Sequence, residues 1–156
     1  MKTLKRMSTT MSRRHAVAGL ALGALGVFGL ALSGPMPAQA ASPQDLLKTY
    51  EEQAKAAGIW PGSFSAERGK ELFYKKFGTG KPETPSCTSC HTDSPHKTGR
   101  TRAGKPIKPM ALSKTPDRYS DPEKVEKWFR RNCRSVIGRE CTPLEKGDFI
   151  TFMISQ

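Results

Sequence analysis

Apolar positions fall along this chain in one unbroken block and then in short periodic runs. From Ala16 to Leu32 every residue is apolar or glycine. Beyond residue 40 the spacing becomes helical. Over Ser42 to Gly58, Leu46, Leu47 and Tyr50 share one side of a polar helix that Gly58, Pro61 and Gly62 end. A second helix is predicted from Ser65, with Ala66, Leu72, Phe73 and Phe77 apolar, stopping at Gly78-Thr79-Gly80. Gly69 inside it costs about 1 kcal/mol against alanine. Such a glycine is either tolerated inefficiency or the place where another helix comes close.

Lys81 to Tyr119 is rich in Pro, Gly, Lys and Ser and shows no periodicity outside one cysteine-histidine motif. A long loop wrapped around something is expected there. Two strongly signalled helices close the chain. Ser120-Asp121-Pro122-Glu123 combines cap residues, a first-turn proline and a capping-box glutamate, and the helix runs to about Ile137 before Gly138. Its apolar stripe is Val125, Trp128, Phe129, Cys133, Val136 and Ile137. Thr142-Pro143-Leu144-Glu145 repeats the start signal for a last helix carrying Leu144, Phe149, Ile150, Phe152, Met153 and Ile154. With almost no strand-like alternation and no internal repeat, four helices joined by loops make an all-α fold.

The first apolar block belongs to a different kind of segment. Lys2, Lys5, Arg6, Arg13 and Arg14 precede it without an acid, and Gly34, Pro35 and Ala38-Gln39-Ala40 follow. A basic start, an apolar stretch short of a full membrane span and a small-x-small site describe a secretory signal over residues 1–40, cleaved rather than kept as an anchor. Arg13-Arg14 is read as signal charge on the general secretory route. The location this implies is a bacterial periplasm, where nucleic acid is no partner. The remainder divides into an N-terminal helical extension, 41–64, and a main domain, 65–156. The whole chain carries 26 basic and 14 acidic residues. Loss of the five signal bases leaves 21 against 14, a net charge of +7 that serves solubility and can steer an acidic partner or an anionic surface.

The candidate chemistry sits in Cys87-Thr88-Ser89-Cys90-His91. Two thiols three apart followed at once by an imidazole is the attachment signature of c-type haem. Each thiol adds to one haem vinyl group, and the adjoining His91 is placed as proximal iron ligand. A thioredoxin-like pair would sit beside a βαβ pattern, which is missing here. A zinc site drawing on Cys133, Cys141 or His96 has no second C-x-x-C or H-x3-H partner at the right spacing. One covalent haem c is therefore expected.

The opposite face of the iron decides what such a protein does. Methionine is the ordinary partner in an electron carrier. Met153 lies in the apolar last helix and reads as core, while Met110 follows His91 closely and precedes two further helices, unlike the usual methionine position. Asn132 is the only asparagine, and it falls within the apolar stripe of its helix. A buried amide without a partner costs about 1–3 kcal/mol, so something polar must meet it: backbone, a haem propionate or the iron. Cys133 and Cys141, in an oxidising compartment and bracketing Gly138, read as a disulfide worth about 2–3 kcal/mol in the chain-entropy model.

Trp128-Phe129-Arg130-Arg131-Asn132-Cys133, Gly138-Arg139-Glu140-Cys141-Thr142, Glu145-Lys146-Gly147-Asp148 and Ile107-Lys108-Pro109-Met110-Ala111-Leu112-Ser113, together with the haem motif, resemble the SHP-type (Sphaeroides haem protein type) cytochromes c. The resemblance covers roughly residues 65–156. It implies a class I cytochrome c fold and an asparagine as distal ligand beside the first cysteine of a disulfide, which maps onto Asn132 and Cys133. An amide oxygen is a weak, hard donor that suits ferric better than ferrous iron. Reduction should release it and leave a site for dioxygen, nitric oxide or carbon monoxide. The resemblance also implies electron delivery from a dihaem or other cytochrome c, and a membrane cytochrome is a further candidate for transient association. Two other functions remain in view: a plain electron carrier with His91/Met110 ligation, and an enzyme converting oxygen or nitric oxide at the open iron. His96 could donate a proton in the latter, although a histidine in a Ser-Pro-His-Lys loop is more often simply exposed.

Overall fold

The computed structural model describes residues 41–156; the expected signal, 1–40, lies outside the described residues. Helix α1 spans Pro43–Ala56 and starts where expected, because Ser42 and Asp45 form a reciprocal capping box that satisfies two orphan amides. Its face of Leu46, Tyr50 and Ala54 is buried. Helix α2, Ala66–Tyr74, is capped by Ser65. A single turn, α3, spans Thr88–His91, and a two-stranded antiparallel hairpin pairs β1, Gly99–Arg100, with β2, Pro106–Ile107. Helix α4 runs Pro122–Val136 from an Asp121 cap, and α5 runs Pro143–Ile154 from a Thr142–Glu145 capping box. The architecture is all-α, as expected, with little strand.

Two local expectations need correction. Helix α2 ends three residues before Phe77, because Lys75 turns extended (ψ 134°) and the Phe77 amide donates to the Pro85 carbonyl at 2.7 Å. Packing of Phe77 beside Cys133 and Val136 wins over continued helical spacing. The stretch expected to be featureless loop contains α3 and the hairpin, closed by a turn at Gly104 (φ +77°) where the Thr101 amide donates to the Lys105 carbonyl. A two-residue ladder is too short to leave alternation in a sequence.

The core forms where α5 lies across α2 and α1. Tyr50, Phe73, Ile150 and Met153 are its largest fully buried side chains. Gly69 is the contact point of α2 and α5. A Cβ there would run into the Asp148 backbone carbonyl and lie 2.8 Å from Phe152 Cβ. Beside it, the buried Asp148 carboxylate accepts from Arg68 Nε (2.7 Å), Arg68 Nη2 (2.8 Å) and the Ser65 amide (2.7 Å). Gly69→Ala would gain about 1 kcal/mol of helix propensity and lose about 3 kcal/mol to overpacking against a backbone that cannot yield. We expect a net loss near 2 kcal/mol in urea unfolding, whereas Glu67→Ala on the exposed side should be within about 0.5 kcal/mol of the parent.

Helix α4 makes few close backbone approaches to the other elements and is held mainly by side chains. Phe129 meets Tyr50 and Phe149 edge-on, with ring centroids 6.1 and 5.5 Å apart. Glu126 accepts from the Tyr50 hydroxyl (2.6 Å) and from Lys146 (2.7 Å). Burial first, and then the Glu126 carboxylate, push the Tyr50 phenol far above its ordinary range, so it remains a donor. The extension helix α1 thereby shares the core of the domain that follows it.

Candidate haem site

Helix α3 begins beside Cys87 and ends on His91, whose amide donates to the Cys87 carbonyl at 3.1 Å. One helical turn therefore brings Cys87, Cys90 and His91 together. Directly after it, Thr92 adopts φ +64° and ψ 179°. A β-branched residue in that region costs about 1–3 kcal/mol. The conformation is held by Thr92 Oγ1, which donates to the Ser94 carbonyl at 3.0 Å and accepts from the Ser94 amide at 3.3 Å. The reversal sends the chain into β1, where Gly99 lies against the Cys90 carbonyl and a Cβ would sit 3.0 Å from His91 Cα.

The chemistry of the three side chains fits a c-type haem. Cys87 and Cys90 are unpaired. Burial pushes the Cys87 thiol up to about 11. His91 Nδ1 is, among the described residues, the one buried side-chain polar atom without a hydrogen-bond partner. Burial, and then the nearby positive charge of Arg118, bring the His91 imidazole down to about 4. At neutral pH it is an uncharged ring with a lone pair to give, which is the form a metal requires. Two thiols would form the thioethers and His91 would take the iron. No other three His, Cys, Asp or Glu side chains among the described residues converge as a cage for a bare metal ion.

The C-terminal end of α4 packs beside the motif. Cys87 packs both into the main core and against the cluster of Cys133, Val136, Ile137 and Cys141. The loop before the haem motif is tied to this end of α4 by hydrogen bonds. The Lys81 amide donates to the Ser135 carbonyl at 2.7 Å, Thr84 Oγ1 donates to the same carbonyl, and Thr79 Oγ1 donates to the Ile137 carbonyl. Gly80 is required there, since a Cβ would strike the Val136 carbonyl. The Cys133 and Cys141 sulfurs stand at bonding distance with Cα atoms 5.6 Å apart.

Other protein side chains leave Asn132 uncovered, and Trp128 likewise, at 47%. The buried line of α4 passes through Val125, Cys133 and Val136, and Trp128 and Asn132 lie one turn apart along its edge. Arg131 covers part of the Trp128 ring, 5.4 Å from its centre. The candidacy of Asn132 rests on its position in the family pattern, beside Cys133. Met110 is buried within the main core, where Pro95 accepts from its amide (2.8 Å) and its carbonyl accepts from the Tyr119 hydroxyl (2.9 Å). Met153 is fully buried, as expected for core. His96 is exposed in its turn.

Two contributors had escaped the sequence reading. Arg118 is far along the chain from His91, and nothing local announces its proximity. Thr92 carries no residue-type signal for a positive φ; only its place immediately after the motif could have drawn notice.

Residues 61–153 match a family model described as a domain of unknown function, DUF1924. The cytochrome c-type protein SHP of Cereibacter sphaeroides is 46% identical over 130 residues, covering 83% of this chain and 96% of that protein. The structure of oxidised SHP, described as an oxygen-binding cytochrome c, superposes with a TM-score of 0.67 at 48% identity, covering 74% of this chain and 98% of that one. The solution structure of cytochrome c'' from Methylophilus methylotrophus, described in terms of haem-ligand detachment, gives a TM-score of 0.62 at 31% identity, covering 73% and 93%. With its haem-type motif on α3, its all-α fold and this depth of likeness, the chain belongs to the SHP-type cytochromes c.

Proposed function

We propose that this protein is a periplasmic monohaem cytochrome c whose ferrous iron takes up a small diatomic molecule, O2, NO or CO. The observation that carries the reading is the likeness to SHP, an oxygen-binding cytochrome c, over nearly all of that protein's length. Cys87 and Cys90 hold one haem covalently, His91 is the proximal ligand, and Asn132 is the distal ligand of the ferric state. When bound, the haem supplies an iron that changes oxidation state and can accept a sixth ligand. The chain's own part is to present a donor that lets go. Asn132 offers a neutral amide oxygen, a weaker match for ferrous than for ferric iron. Electrons come from another cytochrome c, and residues 1–40 direct export.

The ferric absorption spectrum tests the ligand assignment directly. Asparagine ligation predicts that the weak far-red band of methionine sulfur on ferric haem is missing, and that the dithionite-reduced protein binds CO on mixing. A far-red sulfur band together with a slow, ligand-limited CO reaction would replace this reading by electron transfer through His91 and Met110. The Cys133–Cys141 bond has its own check. Thiol labelling of the denatured, unreduced holoprotein should find no free cysteine, and two labelled thiols would remove the bridge that steadies the α4–α5 turn.

A further inference from the structure

Helix α4 is fastened at two places, and Asn132 lies between them. At the C-terminal end, the Ser135 and Ile137 carbonyls accept from Thr79, Lys81 and Thr84, and Cys133 stands at bonding distance from Cys141. The other fastening is a polar cluster nearer the start of the helix. Glu126 Oε1 accepts from the Tyr50 hydroxyl at 2.6 Å, and Glu126 Oε2 accepts from Lys146 Nζ at 2.7 Å. The Lys146 ammonium also lies 5.5 Å from the centre of the Tyr50 ring and 6.0 Å from that of Phe129. Tyr50 belongs to α1, Glu126 to α4 and Lys146 to α5, so three helices meet at one carboxylate. The Lys146 side chain is only 14% exposed, and Glu126 meets its charge.

We propose that Tyr50, Glu126 and Lys146 are positioning residues for the distal ligand: they fix the roll of α4 about its own axis at which the Asn132 amide reaches the iron. The inference rests on the reading of Asn132 as the ferric ligand. Helix α4 makes few close backbone approaches to the other elements, so side chains set its roll. Asn132 is uncovered by other protein side chains, so its reach is set by the helix that carries it. A helix with its side chains has a radius of about 5–6 Å, and a roll of about 10° moves a side-chain tip by about 1 Å. A ligand constellation tolerates about 0.5 Å. Apolar contacts such as those of Phe129 allow a small slide, whereas hydrogen bonds to a carboxylate are directional and resist it.

Azide titration of the ferric holoprotein tests this, with the ferric spectrum recorded alongside. Tyr50→Phe removes one hydroxyl and keeps the ring, and Glu126→Gln keeps the shape and removes the charge. Each should tighten azide binding about three- to tenfold, because the anion displaces a less well placed amide. In an Asn132→Ala background the same two substitutions should change azide affinity less than about 1.5-fold, since the group they position is gone. Gly69→Ala, which loosens the α2–α5 contact instead, is the control for general destabilisation and should leave azide affinity within about 1.5-fold of the parent. Tightening by Gly69→Ala to the same extent would reduce the cluster to a stability element and overturn the proposal. It would also fall if the tightening survived in Asn132→Ala, or if neither Tyr50→Phe nor Glu126→Gln altered azide binding. The two failures are distinguishable. Should Asn132→Ala itself leave azide binding unchanged, the ligand reading falls and takes the cluster's role with it. Should Asn132→Ala open the iron while the cluster variants do nothing, the positioning role alone is lost.

Discussion

Asn132→Ala should open the ferric iron to azide and cyanide, tightening their binding about tenfold or more relative to the parent protein. An incoming anion must displace the amide in the parent and nothing in the variant, and each 1.4 kcal/mol of displaced bond is a factor of ten in affinity. On the proposed reading the ferrous protein should change little, since the amide would already have left. Asn132→Met should act in the opposite sense if the longer side chain reaches the iron, occupying the ferrous site and slowing CO uptake. Met110→Ala is the control: it removes a buried core side chain, so it lowers stability while preserving the ferric spectrum. A ferric spectrum that shifts in Met110→Ala and not in Asn132→Ala would exchange the two assignments and remove the gas-binding function with them.

The largest expected effect is all-or-none. Cys87→Ala combined with Cys90→Ala should turn a haem that survives acid-acetone into one that extracts completely, because no other unpaired cysteine is available among the described residues. Either substitution alone should leave a single thioether and a shifted haem absorption band. Extraction of haem from the unaltered protein would end the c-type assignment. His91 offers a second view of the same site, since His91→Ala keeps both thioethers while removing the proximal nitrogen. Covalent haem with an altered spectrum is then the expected result.

What could be read beforehand follows from how local each determinant is. The capping boxes at Ser42–Asp45 and Thr142–Glu145 fix the starts of α1 and α5 within four residues of chain, and both starts were legible. Gly69 posed a question that the sequence could frame but not answer, and the answer lies in the Asp148 carbonyl of α5. The end of α2 was misjudged because Phe77 takes its position from Cys133 and Val136, more than fifty residues on. The Cys87–His91 motif was fully visible, because its chemistry demands adjacency. The lack of protein cover over Asn132 was not. A helical stripe is a band with edges, and residue spacing alone leaves open whether an edge position faces protein or solvent.

The position of Cys87, half-buried against both apolar clusters, bears on the order of events in the life of the molecule. Thioether chemistry proceeds from the thiolate. Burial pushes the Cys87 thiol up, so the folded chain presents less thiolate there than an exposed cysteine would. An ordinary exposed cysteine is ionised to a few per cent. The segment from Thr79 to Thr92 is tied by hydrogen bonds to Ser135 and Ile137, so on the proposed reading haem would be joined most readily before those bonds close. On that reading attachment would be a timed step of maturation, and the haem a surface on which the chain condenses rather than a guest admitted to a finished pocket.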